Sequence, residues 1–339
     1  MSIQHQMTLR LAIFGFGVVG QGLARMLQRK GAQLASCGID LRLVAVADSK
    51  GVWVDEGGIA PQDAIEKKRK EGTVAMERVR PERVVADVPC DVVVDTTPTN
   101  IEDGEPGMSI MLSAFESGKH VVTSNKGPLA LRFHALSERA EECGVHLMYE
   151  ASVGGAMPIF SLVRCSLAPA HITSIEGIFN GTCNYILTRM RETGYSYADI
   201  LNEARELGIA EADPTYDVEG IDAACKVAIL ANALFGMDVC YRDVSTTGIS
   251  QITPEAIHLA AAGDFSIKLI GKVSPTELKV APMLVPTEHP LNVGGTLNVA
   301  SIVTDIAGTI TVMGRGAGAV ETASALLSDI VWIHRSVSP

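Results

Sequence analysis

A largely apolar run from Leu9 to Phe14 ends in Gly15-Phe16-Gly17-Val18-Val19-Gly20, and Leu23, Met26 and Leu27 follow at helical spacing. That order predicts a strand, a tight turn and a helix. A second apolar run, Leu41 to Ala47, ends at Asp48. Together the pieces have the length and order of a right-handed β-α-β crossover. Each glycine then has its own task. Gly15 allows the turn, Gly17 leaves room for a dinucleotide pyrophosphate at the helix N-terminus, and Gly20 lets helix and strand pack closely.

Glycine-rich turns also join strands to helices in domains that bind nothing, so the surroundings carry weight. Strand-like runs recur at residues 84–85, 92–94, 120–122 and 145–148, separated by helical stretches such as 109–116 and 133–142. This alternation predicts an α/β fold whose residues 1–150 form a doubly wound parallel sheet of the Rossmann kind, a dinucleotide-binding domain. After Tyr149 the small, glycine-rich segment Ala151-Ser152-Val153-Gly154-Gly155-Ala156-Met157-Pro158 reads as a hinge or inter-domain cleft. Strands are then expected at 172–179, 267–273, 278–284, 299–304 and 309–313, and helices at 197–207 and 221–235. This is a mixed α+β pattern suited to a substrate and dimerisation domain over 151–310. An apolar helix at 322–333 lies in the last segment, 311–339, which is expected to fold back onto the first domain.

A chain of 339 residues suits two such domains. With 28 Lys and Arg against 39 Asp and Glu, the net charge of −11 argues against nucleic-acid and anionic-membrane partners. Lys67-Lys68-Arg69-Lys70, flanked by Glu66 and Glu71, reads as the solvated face of a helix. No apolar stretch approaches the roughly 18 residues of a membrane span. The start, Met1 to Met7, lacks a basic segment followed by a hydrophobic one, so a soluble cytoplasmic protein is expected. Seven scattered cysteines with no Cys-x-x-Cys pair point to reduced thiols and against zinc.

The stretch from Gly208 to Lys226 holds Glu211, Asp213, Asp217, Glu219 and Asp222 before its single lysine. Asp222 and Lys226 stand four apart on the expected helix, so both face one way. They read either as a surface salt bridge or as a pair lining a pocket. The spacing of a calcium loop is absent. An amino-acid substrate with an oxidisable hydroxyl wants carboxylates for its ammonium and a proton acceptor for its oxygen, and this stretch carries both. Lys126 follows the strand at 120–122, where open parallel sheets bind ligands, although an exposed loop lysine reads equally well. Asp95-Thr96-Thr97 closes another strand and is placed to meet the nicotinamide end of a cofactor.

With these segments in view, the chain resembles homoserine dehydrogenases over nearly its full length. The resemblance rests on the first glycine turn, Ser124-Asn125-Lys126-Gly127-Pro128, Tyr149 to Gly155, Phe179-Asn180-Gly181-Thr182-Cys183-Asn184-Tyr185-Ile186, the Glu211 to Lys226 stretch, and Gly314-Arg315-Gly316-Ala317-Gly318. It implies reversible, nicotinamide-dependent interconversion of L-homoserine and L-aspartate 4-semialdehyde, with a reaction centre between the two domains. It implies that Lys226 carries the proton at the reacting oxygen, that Lys126 is a second catalytic lysine, and that Glu211, Asp222 and Asp217 bind substrate. NADP or NAD would contact Gly15, Phe16, Gly17, Val18, Val19, Gly20, Thr97, Lys126 and Gly318. A monovalent cation, commonly sodium, would lie on backbone oxygens of Glu150, Val153, Gly155 and Met157. A homodimer is implied as well.

Cys183 departs from the second threonine of many relatives, a change expected to be tolerated. The chain leaves no room for an appended regulatory domain, so feedback by threonine through such a domain is not expected. Asp48 suits the ribose of NAD and Lys50 the extra phosphate of NADP, with a slight lean to NADP. Two rivals fit less well. An aspartate-semialdehyde dehydrogenase would need a nucleophilic cysteine setting, and a dinucleotide-sensing regulator would not need intact Glu211, Asp222, Lys126 and Lys226.

Overall fold

The computed structural model describes residues 7–338; Met1 to Gln6, most of the start read above for a leader, and Pro339 lie outside the described residues. The chain forms two compact units, one running through Ser152 and resuming at Gly318, the other from Val153 to Ala317.

The first unit contains β1 (Thr8–Phe14), α1 (Val18–Ser36), β2 (Asp40–Asp48), β3 (Gly51–Val54), α2 (Pro61–Glu71), β4 (Val92–Asp95), α3 (Gly107–Glu116), β5 (His120–Thr123), α4 (Lys126–Glu142) and β6 (Leu147–Met148). The strands lie in the order β3-β2-β1-β4-β5-β6. All pairs are parallel except β2 with β3, so the expected parallel sheet carries one antiparallel edge. Strand order reverses between β1 and β4, the switch point where such sheets bind ligands. Leu9, Leu11, Ile13 and Val92 to Val94 are fully buried, as strands covered on both faces should be.

The second unit contains α5 (Ile159–Ser166), β7 (Ile172–Ile178), α6 (Gly181–Thr193), α7 (Tyr197–Glu206), α8 (Thr215–Val218), α9 (Ile221–Phe235), β8 (Ser245–Thr246), α10 (Pro254–Ala262), β9 (Phe265–Ser274), β10 (Glu277–Pro286), β11 (Leu297–Thr304) and β12 (Thr309–Arg315). Its sheet runs β12-β11-β7-β9-β10-β8, antiparallel apart from the short β8 beside β10. Helix α9 is buried on all sides from Asp222 to Asn232. The last helix, α11 (Ala319–Val337), belongs to the first unit and packs on α1. A side chain at Gly22 would press on the Ala319 carbonyl, so glycine there sets the closeness of the two helices. The buried Leu326, Ile330 and Ile333 of α11 each contribute about 1.5–3 kcal/mol of apolar burial.

Three expectations need correction. Residues 84–85 form no strand: they follow a short helical turn at Pro81–Arg83, and Val85 is buried from a loop. Two apolar residues are too few to select a conformation. The strand expected at 145–148 shrinks to Leu147–Met148. The basic run does lie on α2, where Lys67 and Lys70 pair with Glu71 and Glu66, but Lys68 turns inward to Asp48 at 2.7 Å.

Candidate active site

In the first unit, the turn after β1 is shaped by what its glycines omit. Gly15 has φ +100°, and a Cβ there would collide with the Thr96 backbone. Thr96 Oγ1 closes the contact by donating to Gly15 O at 2.6 Å. A Cβ at Gly20 would strike Gly15 O, whereas one at Gly17 would meet nothing within 4 Å. Gly17 caps the 19-residue α1, whose first turn carries no acidic residue. Open backbone at the positive end of a long helix fits a pyrophosphate. Val18, 72 % exposed at that end, Val19 and the buried Phe16 line the same turn. Gly318 is the N-cap of α11, at φ +134°.

Beyond the carboxyl ends of β4 and β5 lies a network around Asp95, which is fully buried. Thr97 donates to Asp95 Oδ1 from Oγ1 (2.6 Å) and N (2.9 Å), Thr123 Oγ1 donates to Asp95 Oδ2 (3.2 Å), and Asn125 Nδ2 donates to Thr97 Oγ1 (3.0 Å). Burial pushes the Asp95 carboxyl above its ordinary range against these hydrogen bonds. Asn125 Oδ1 accepts from Gly127 N and caps α4, so Lys126 is the first helical residue, fixed at the mouth of the sheet rather than loose in a loop.

Asp48, at the end of β2, is saturated. Its Oδ1 accepts from Lys50 N and Thr73 Oγ1, both at 2.9 Å, and its Oδ2 from Lys68 Nζ (2.7 Å) and Val74 N (2.9 Å). Burial opposes its charge, but these donors outweigh burial and hold the carboxyl below its ordinary range.

In the second unit, Lys226 and Asp222 are both 6 % exposed, which settles the choice between surface and pocket pair. Lys226 Nζ donates to Asp222 Oδ2 (2.7 Å) and Phe179 O (2.6 Å). An ammonium has three N–H groups, so among the described residues one is left without a protein acceptor. Asn180, the N-cap of α6, takes Cys183 N on its Oδ1 (2.8 Å) and donates from Nδ2 to Asp217 Oδ1 (2.7 Å) and Asp222 Oδ2 (3.0 Å). One amide therefore ties the two carboxylates to the helix start. Burial and the neighbouring Asp222 raise the Asp217 carboxyl above its ordinary range, despite Asn180 and Lys226. Burial pushes the Cys183 thiol well up, with Asp217 and Asp222 adding to it, which disfavours the thiolate form.

Glu211 is exposed on the loop before α8 and touches none of these groups, although that loop is tied to α6 by Thr182 Oγ1 donating to Ile209 O at 3.2 Å. Of the backbone cation ligands, Glu150 lies in a buried turn whose N–H donates to Asp329 Oδ2 (2.9 Å). Val153, Gly155 and Met157 open the second unit, in a turn closed by Met157 N donating to Gly154 O (2.9 Å). Among the described residues no cluster of His, Cys, Asp and Glu side chains could hold a metal, and no helix is long and apolar enough to cross a membrane. Asn180, named above only within the segment Phe179 to Ile186 and given no role, joins the centre as the cap of α6, a helix the sequence reading did not expect; an Asn is a residue type suited to such a cap.

Comparison with known proteins finds relatives along both units. The homoserine dehydrogenase family pattern matches residues 158–331, and that of the homoserine dehydrogenase NAD-binding domain matches residues 15–150. The chain is 48 % identical to a homoserine dehydrogenase of Methanocaldococcus jannaschii, covering 96 % of this chain and 98 % of that one. It is 38 % identical to an NAD(+)-dependent homoserine dehydrogenase of Pseudomonas canavaninivorans, covering 97 % of each. A hyperthermophilic archaeal homoserine dehydrogenase solved in complex with NADPH superposes with a TM-score of 0.85 at 29 % identity, covering 97 % of this chain and 98 % of that one.

Proposed function

The chain belongs to the homoserine dehydrogenase family, and we propose that Lys226 is the group through which it moves the proton as L-homoserine and L-aspartate 4-semialdehyde interconvert. The observation that carries this reading is the unspent N–H of a buried lysine whose other two are fixed on Asp222 and Phe179 O. Alcohol oxidation removes a hydride from carbon and a proton from oxygen; bound NAD(P) supplies the hydride acceptor. As an amine, Lys226 accepts the hydroxyl proton; as an ammonium, it returns it to the oxygen of the aldehyde. Asp222 and Phe179 O aim Nζ, so its position is prepaid before substrate arrives. Asp217, short of compensating positive charge, takes the substrate ammonium, and Glu211 supports the same end. Lys126 acts as the second lysine, held by the α4 cap.

NAD(P) binding falls to Gly15, Phe16, Gly17, Val18, Val19 and Gly20, with Thr97, Lys126 and Gly318. We place NADP ahead of NAD. The acid that would repel its extra phosphate, Asp48, is matched by Lys68, and Lys50 stands two residues on. A monovalent cation fits the hard, neutral carbonyl oxygens of Glu150, Val153, Gly155 and Met157, where it would pin the glycine-rich turn. The protein works as a homodimer in the cytoplasm. Exposed Met313 on edge strand β12 and Leu284 on β10 favour a partner surface, and seven cysteines that form no disulfide suit a reducing compartment. The test is oxidation of L-homoserine by the purified protein with each cofactor. Reduction of neither cofactor would refute the reading.

A further inference from the structure

We infer that Asp95 sets the balance between the two states of the cofactor, as a buried carboxylate that favours the positively charged, oxidised nicotinamide over the uncharged, reduced one; this deepens the NAD(P)-dependent reading and rests on it. Asp95 is fully buried at the end of β4, and the proton transfer assigned to Lys226 makes no use of it.

Every hydrogen bond to the Asp95 carboxylate is one that it accepts. Thr97 Oγ1 accepts from Asn125 Nδ2 at 3.0 Å and Thr123 Oγ1 accepts from Asn125 N at 2.9 Å, so both hydroxyl protons are left to turn toward Asp95. Thr97 Oγ1 donates to Oδ1 at 2.6 Å, and Thr123 Oγ1 divides its proton between Oδ2 at 3.2 Å and the Asp95 carbonyl at 3.3 Å. Thr97 N, a fixed donor, adds a bond to Oδ1 at 2.9 Å. A Cβ at Gly107 would stand 3.0 Å from Oδ2, so the carboxylate also lies against the first turn of the 10-residue α3, the positive end of that helix. A protonated acid would bring an O–H into a ring of donors. The site is built for the ionised form.

None of these partners carries a charge. Neutral donors orient the carboxylate but do not offset its burial, and its carboxyl stays above the ordinary range. An anion so placed gains from a cation brought near it. Asp48, on the other side of the strand-order reversal, already has its cation in Lys68. A dinucleotide crosses such a sheet at the switch between β1 and β4, one mononucleotide to each half. The glycine turn after β1 and Asp48 on β2 mark the half for pyrophosphate and adenosine, which leaves the half of β4 and β5 for the nicotinamide. Thr97 and Asn125, both bound into the Asp95 network, stand at that mouth, and Asn125 caps the helix that Lys126 begins. The nicotinamide ring is a cation when oxidised, and the hydride that leaves the alcohol carbon with its electron pair neutralises it. A fixed negative charge therefore strengthens the binding of NADP+ and does nothing comparable for NADPH. It offsets the ammonium of Lys126, which acts in the opposite sense.

The test is the Kd of NADP+ and of NADPH, each measured by calorimetry without amino-acid substrate, in wild type and in Asp95→Asn. The new amide keeps the shape, its oxygen can take the Thr97 donors, and Thr123 can turn its proton wholly to the carbonyl of residue 95. NADP+ should weaken about tenfold relative to NADPH, the scale of one charge acting through an effective dielectric of about 20. A purely structural role would weaken both cofactors by one factor, so an unchanged ratio overturns the inference. Wild-type protein gives a second reading that needs no variant. Thr123, Gly107 and Asn125 face the carboxyl from β5, α3 and α4 and do not titrate, and Lys126 stays charged in acid, so NADP+ should lose its advantage as pH falls through the raised value of Asp95. A ratio that stays flat there also overturns the inference. Wild-type protein that binds neither cofactor is a different result, and refutes the dehydrogenase reading itself.

Discussion

Asp48 in the first unit and Asp217 in the second are both withdrawn from water, yet their carboxyls move in opposite directions. Asp48 has collected an ammonium, a hydroxyl and two backbone N–H groups. Its charge is satisfied by the fold, and it staples β2 to the segment after α2. Asp217 has Asn180, Thr182 and the nearby Lys226 in favour of its charge, but burial and the repelling Asp222 outweigh them. An acid that stabilises the protein and an acid that waits for a cation look alike in a sequence. What separates them is whether the surrounding donors outnumber the surrounding charges.

The sharpest way to test the waiting side is Lys226→Ala, which should lower kcat by about 10²–10⁴-fold while the Kd for NADP stays the same. Steady-state rates beside a fluorescence titration of cofactor would decide it, and normal turnover would remove the lysine from the mechanism. Asp222→Ala leaves a buried ammonium without its partner and should cost about 3–5 kcal/mol in urea unfolding. A smaller loss, below about 1 kcal/mol, would mean the pair is better hydrated than its burial indicates.

The aspartates themselves predict opposite signs. Asp48, held low, contributes stability that is present above the ordinary carboxylate pKa of about 4 and is lost as pH falls through its depressed value. Asp48→Ala should therefore cost about 1.5–3 kcal/mol at pH 7, with the deficit shrinking in acid. Asp217, held high, costs stability as pH rises through its raised value. Asp217→Asn should lose none at pH 7 and should raise the KM for L-homoserine. Equal destabilisation by both changes would erase the contrast. The smallest effect is expected at Lys50→Ala, a several-fold fall in the NADP to NAD ratio of kcat/KM, read from the two saturation curves.

The sequence exposes local geometry well. The strand–turn–helix at Thr8–Ser36 follows from apolar spacing and three glycines, and Asp222 with Lys226 follows from the pitch of a helix. Helix α4 was hidden at its start, because Lys126-Gly127-Pro128 reads as a loop. Proline is tolerated in a first helical turn, and the Asn125 cap begins the helix two residues before it. The antiparallel β3 is four residues long, too short to carry a period. Contacts between distant residues were beyond reach altogether. Asn180 meets Asp222 across 42 positions, and Lys68 meets Asp48 across 20, so the network that distinguishes the two aspartates exists only after folding.

Helix α11 has a consequence for how the protein is made. The first unit is interrupted at Ser152 and completed only from Gly318 onward. On the ribosome, every residue of the intervening unit must be polymerised before Leu326, Leu327 and Ile330 emerge to join Leu23 and Leu27 in one core. Until then the nascent first unit carries an oily seam along α1, open to the cell's chaperones, and translation must run through the whole second unit before that seam can close.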